Sequence, residues 1–141
     1  MEEREPCVSA LVVGGYQESQ ALLHQVFRDR CWRLHVVPDR KRALDCLERQ
    51  IIQVVIAPAE FPTWPWKRVL QDLRRMPRAP QLVVVSRLAD DFLWAEVLNW
   101  GGYDVLSEPL QREEVERVIS SARRHFDAAP GRGYSAHAAA S

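Results

Sequence analysis

Cysteine is scarce and unpatterned in this chain. Cys7, Cys31 and Cys46 are an odd set with no C-x-x-C spacing. That argues against a disulfide framework or a zinc ribbon and fits free thiols in a reducing cytoplasm, the expected location. Neither sign of charge is in excess, because Lys plus Arg and Asp plus Glu each number 19. A general binder of nucleic acid or of acidic membranes carries a basic surplus, so neither is expected as a partner. The short clusters Arg40-Lys41-Arg42 and Arg74-Arg75 read as solvated helix faces. Zero net charge leaves self-association electrostatically unopposed. No apolar run approaches the roughly 20 residues that cross a bilayer. No basic start followed by an apolar stretch marks a secretory signal. Histidine is sparse too: His24, His35, His125 and His137 are scattered, without a second ligand at i+3 or i+4. No metal and no cofactor is expected from them.

What is present is a well-stocked core. Of 141 residues, 47% are hydrophobic and 27% charged, the balance of one globular domain. Apolar β-branched runs alternate with amphipathic stretches. Val8 to Val13, Trp32 to Val37, Ile51 to Ile56, Gln81 to Ser86 and Tyr103 to Leu106 read as strands. The third run is apolar almost without a break, as in a strand buried on both faces of a parallel sheet. Ala57 and Pro58 are expected to end it, since Pro has no N–H for a ladder. Helices are expected over Glu18 to Arg30, from Asp39 as N-cap to Arg49, on to about Arg75, from Asp90 or Asp91 to Trp100, and after Pro109. Gly101-Gly102 should terminate the fourth, because Gly tolerates the left-handed C′ position. Residues 1–7 read as a flexible start, 8–126 as the domain and 127–141, Ala-, Gly- and Ser-rich, as a disordered tail. Five βα units imply an α/β fold: a five-stranded parallel doubly wound sheet, flavodoxin-like, in order 2-1-3-4-5.

Several spacings then agree with one family. Gly14-Gly15 follows the first strand. Pro58 ends the third and stands four residues before Pro62. Ser86 closes the fourth, and Gly101-Gly102-Tyr103-Asp104-Val105-Leu106-Ser107-Glu108-Pro109 spans the fifth. In this arrangement the chain resembles the receiver domains of response regulators in two-component signalling, from about Ala10 to Phe126. The resemblance implies a fold of this class and a place in a phosphorelay-related pathway. It also implies where the phosphorylation chemistry would sit. The acids that hold Mg²⁺ in the family fall on Gly14 and Gly15. The phospho-accepting Asp falls on Pro58 and the Lys on Glu108. Only the hydroxyl position, Ser86, is kept, and the aromatic that moves with it is Val105. Phosphoryl transfer rests on positioning and on cations that neutralise the transferred group, so Glu for Lys reverses the sign where charge builds up. The expected form is a degenerate pseudo-receiver without catalytic residues, and no enzyme, with Pro58 stiffening the tip of its strand.

Two other chemistries are weighed against this. Glu18, Glu60 and Asp104 could rebuild an acidic site, giving a receiver phosphorylated through non-standard acids. Gly14-Gly15 could form part of a phosphate-binding turn, giving a nucleotide- or small-ligand-binding regulatory domain at the strand ends, although the third glycine of that fingerprint is missing. A different signal lies in Phe92-Leu93-Trp94-Ala95-Glu96-Val97-Leu98-Asn99-Trp100, apolar nearly all round. Leu93, Val97 and Trp100 can face a sheet. Phe92, Trp94 and Leu98 then remain outside and, with Val105, are expected to form an interaction surface. The family commonly pairs or docks through its fourth helix, fifth strand and fifth helix. A protein partner of a signalling pathway, or a homodimer, is therefore expected on that face. Trp64 and Trp66 mark a second, weaker candidate patch.

Overall fold

Each strand run buries alternate residues on opposite faces, and this builds two core layers around one parallel sheet. The computed structural model describes residues 7–14 and 17–129. The strands are β1 (Ser9–Val13), β2 (Arg33–Val37), β3 (Val54–Pro58), β4 (Gln81–Ser86) and β5 (Asp104–Ser107). The helices are α1 (Gln17–Asp29), α2 (Arg40–Arg49), α3 (Trp66–Arg74), α4 (Asp91–Trp100) and α5 (Arg112–Ala128). The sheet runs β2-β1-β3-β4-β5, all parallel, as the βα alternation implies. Ala10, Val12, Val54, Ile56, Val83 and Val85 face α1 and α5. Their sequence neighbours Leu11, Val13, Val55, Ala57, Leu82 and Val84 face α2, α3 and α4. Burying each of these Val, Leu and Ile side chains contributes about 1.5–3 kcal/mol, so the central strands anchor everything around them.

The helix ends follow their local chemistry. Asp39 caps α2 by accepting from the Arg42 N–H, and Asp90 caps α4 by accepting from that of Leu93. Gly101 ends α4 in the left-handed conformation at φ 102°.

Three expectations are corrected. First, β3 begins at Val54 and runs through Pro58, whereas Ile51 is exposed on the link from α2. Proline is accommodated because N–H groups alternate in direction along a strand. The Ala59 N–H points to β4 and bonds Val85 O at 2.8 Å. The Pro58 nitrogen therefore faces β1, whose pairing with β3 already stops at Val12 and Ile56. Second, α5 extends through Asp127, which pairs with Arg123 at 3.0 Å, so the expected tail starts too early. Residues 130–141, like residues 1–6, lie outside the described residues. Third, Trp64 and Trp66 form no surface patch. Trp64 is fully buried and donates its indole N–H to Asp72 at 2.8 Å. Trp66 packs edge-on to Trp100 at 6.1 Å.

Asp72 ties three elements together. It accepts from Trp64 in the β3–α3 loop and from Arg40 of α2, the latter at 2.9 Å. Burial pushes its carboxyl up. The bonds from Arg40 and Trp64, with the charges of Arg40 and Arg68, outweigh that and hold it below the ordinary value. A carboxylate lowered in the folded state stabilises above its unfolded value of about 3.9 and loses that contribution as pH falls through the folded value. Asp72→Asn should therefore cost about 1 kcal/mol at neutral pH, as for a partly screened charged hydrogen bond. In urea titrations the gap to wild type should stay level from neutral pH down to about pH 5 and close below about pH 4.

Candidate functional site

The carboxyl ends of β1, β3, β4 and β5 converge on one rim, where an open α/β sheet places its chemistry. At the end of β1, Gly14 has φ +56° and donates its N–H to Val37 O at 3.0 Å. Its carbonyl accepts from the Gln20 side chain. A Cβ built on Gly14 would lie 2.9 Å from the ring of Phe61, so the aromatic ring occupies the space a side chain would need. Gly15 lies outside the described residues. Pro58, at the end of β3, is buried.

Ser86 closes β4 and is wholly buried. Its hydroxyl donates to Glu60 at 2.8 Å and accepts from the Leu88 N–H at 3.0 Å. Glu108 follows β5, with its side chain only 7% exposed. One carboxylate oxygen accepts from Ser19 of α1. The other has no hydrogen-bond partner and faces Arg87 Nε at 3.9 Å.

Gly14, Pro58 and Glu108 thus meet, and with Val12, Ile56, Ser19, Gln20 and Val85 they enclose a cavity of about 20 Å³. That holds about one water. At Pro58 the lining offers no carboxylate to accept a phosphoryl group; its one hydroxyl, that of Ser19, is bonded to Glu108, and its charged group is an anion. The three other acids weighed for this rim go to separate places. Glu60 is taken by Ser86. Asp104 accepts from the Trp94 indole at 3.2 Å and from the Val105 N–H. Glu18 is exposed and lines an open depression with Ser19, Arg87 and Glu108. Among the described residues, no group of three or more His, Cys, Asp or Glu side chains could hold a metal ion.

These strand ends belong to a fold with many solved counterparts. The fold is that of a response-regulator receiver domain. The receiver domain of an HD-domain protein from Pseudomonas fluorescens Pf-5 is 22% identical, with a TM-score of 0.75 over 88% of this chain and 100% of that one. A Francisella response-regulator receiver domain is 19% identical, with a TM-score of 0.71 over 84% and 98%. The receiver domain of Saccharomyces cerevisiae Ssk1, crystallised with the histidine phosphotransfer protein Ypd1, is 13% identical, with a TM-score of 0.74 over 86% and 92%. At these identities the likeness is one of fold. No family model and no curated protein matches the sequence.

The second region of interest in this receiver fold is α4. Val97 is buried and Leu93 and Trp100 are half-buried against the core, as the helical spacing implies. Phe92 is 75%, Trp94 48% and Leu98 37% exposed. Leu88, just before the helix, is equally bare and was not evident from the helical pattern. Val105 is 8% exposed and lies in the floor of the groove beside Trp94, so it does not belong to the outer surface expected for it. Of the acids weighed for the rim, Glu60 is the one brought to Ser86, carried there by the pairing of Pro58 with Val85. Phe61 escaped the sequence: it reads as a loop residue, yet it packs over Gly14. A bulky ring shortly after β3, opposite a glycine where a side chain would otherwise stand, is the signal that could have found it.

Because Gly14 and Glu108 frame Pro58, restoring one residue should not restore chemistry. Pro58→Asp, incubated with Mg²⁺ and acetyl phosphate, should show no phosphoryl adduct by intact-mass spectrometry. A stable adduct on the introduced carboxylate would show that the surrounding groups still support transfer.

Proposed function

We propose that this chain is a pseudo-receiver that works in a signalling pathway by protein–protein contact, independently of aspartyl phosphorylation and without enzymatic activity. The observation that carries the reading is the meeting of Gly14, Pro58 and Glu108 at the strand ends, with Phe61 packed over the glycine. At Pro58 a phosphoryl group would find no acceptor, and the family's lysine position holds the Glu108 carboxylate, which already faces Arg87. The Ser86 hydroxyl, the one group retained, is already held by Glu60. The enclosed cavity at Pro58, about 20 Å³, is far below the roughly 300–1,000 Å³ of a ligand pocket. The open depression beside it, about 430 Å³, is large enough, but its carboxylates Glu18 and Glu108 outnumber Arg87 and disfavour a phosphate-bearing ligand.

The exposed side chains of α4 support contact with another protein. Outward-facing rings beside polar residues are the usual mark of a docking surface. The solved complex of a yeast receiver domain with a histidine phosphotransfer protein is consistent with a protein partner for this fold. A second copy of the chain is the other occupant to weigh, favoured by zero net charge. A cytoplasmic setting fits the three free thiols.

Trp94→Glu or Leu98→Glu should weaken binding of the pathway partner, or self-association measured by light scattering, by at least about tenfold. Melting curves check that each variant folds, since Trp94 and Leu98 are 48% and 37% exposed and Trp94→Glu removes the indole bond to Asp104, so a fall of a few degrees is expected. Unchanged binding in both variants would remove this face as the functional surface.

A further inference from the structure

The groove beside Trp94 has a marked charge. Asp90, Asp91, Asp104 and Glu114 line it, opposed by the single guanidinium of Arg117. Asp90 and Asp104 accept backbone or indole N–H bonds, which leave their charge in place. Among the described residues none of the four carboxylates is in an ion pair. Arg124, further along α5, borders a separate depression with Ser121 and His125. The surface is thus a strip of negative charge beside a short apolar ridge formed by Trp94 and, one turn on, Leu98, with Phe92 exposed on the other flank of α4.

We propose that this face takes a basic, amphipathic segment of another protein in preference to a second copy of the chain. The inference rests on the interaction reading above and adds the chemistry of the partner. A two-fold copy would set this patch against itself, four carboxylates and one guanidinium on each side, so that at most two of the eight carboxylates could find Arg117 across the seam. Juxtaposed like charges at an interface work against association, whereas Lys or Arg side chains on a partner are drawn to the strip. Trp94 and Leu98, at i and i+4, lie one above the other on α4 and offer a short apolar row that a partner's own apolar stripe can cover. The indole of Trp94, bonded to Asp104, stands where the ridge and the acidic strip meet.

The test uses the whole chain and two synthetic helical peptides with the same Leu stripe, one with Lys and the other with Glu on the polar face. Binding is followed by amide NMR shifts. The Lys peptide should bind and the Glu peptide should not. The affinity should fall at least about threefold between roughly 50 and 200 mM salt. It should fall about tenfold in Trp94→Ala and about tenfold in the double variant Asp91→Lys with Glu114→Lys. All these positions are at least partly exposed, and melting curves check that the variants fold. Equal, Trp94-dependent binding of both peptides would overturn the charge claim and leave the docking face standing. If neither peptide binds and light scattering shows a dimer that Trp94→Glu dissociates, the occupant is a second copy and the proposal falls while the interface reading survives. No peptide binding by a monomer, with partner binding indifferent to Trp94→Glu, would overturn both.

Discussion

The structure depends on the position of β3 between β1 and β4. Its five residues are all buried, and its two ladders fix the register of the central sheet. That register decides which residues share the rim. Pro58 lies opposite Val85, the Ala59 N–H continues the bonding to β4, and Glu60 is thereby carried to Ser86. A proline is tolerated at the strand end because β1 no longer needs an N–H there. The scaffold thus accommodates, without losing a ladder bond, a residue that cannot accept a phosphoryl group.

The rim has the character of packed interior. Gly14 leaves room that Phe61 fills, and the remaining cavity is about 20 Å³. Glu108 is held by Ser19 and lies beside Arg87, while Ser86 is held between Glu60 and Leu88. These contacts describe strand ends fixed by neighbouring side chains. Apart from Val36 and Ile51, the exposed large apolar residues are on α4 and the loop before it, and carboxylates line the groove beside Trp94. In the proposed function the two regions have different parts: the packed rim is to hold the strand ends in place, and the open surface at α4 is to meet a partner.

Most of the fold is legible in the sequence because strand and helix periodicities differ and the caps are explicit. Asp39, Asp90 and Gly101 act at the positions their chemistry suggests. The outward placement of Phe92, Trp94 and Leu98 follows from counting around a helix whose opposite side must meet the sheet. The errors have a common cause, since they concern residues whose fate is set by tertiary contacts. Trp64 looks like a surface ring in a Pro-rich loop until Asp72, one face of α3 away, supplies its hydrogen bond. Val105 has the position of an interface residue but the burial of a strand interior. Glu60 and Phe61 acquire roles only through the pairing of β3 with its neighbours.

A pseudo-receiver's strand-end rim should not respond to a phosphoryl donor. The amide NMR spectrum of the labelled chain, before and after addition of Mg²⁺ and acetyl phosphate, reads that response residue by residue. Superimposable spectra are expected, with the amides of Ala59, Ser86, Leu88 and Val105 unmoved. Saturable shifts at those residues, together with movement along α4, would contradict the pseudo-receiver reading.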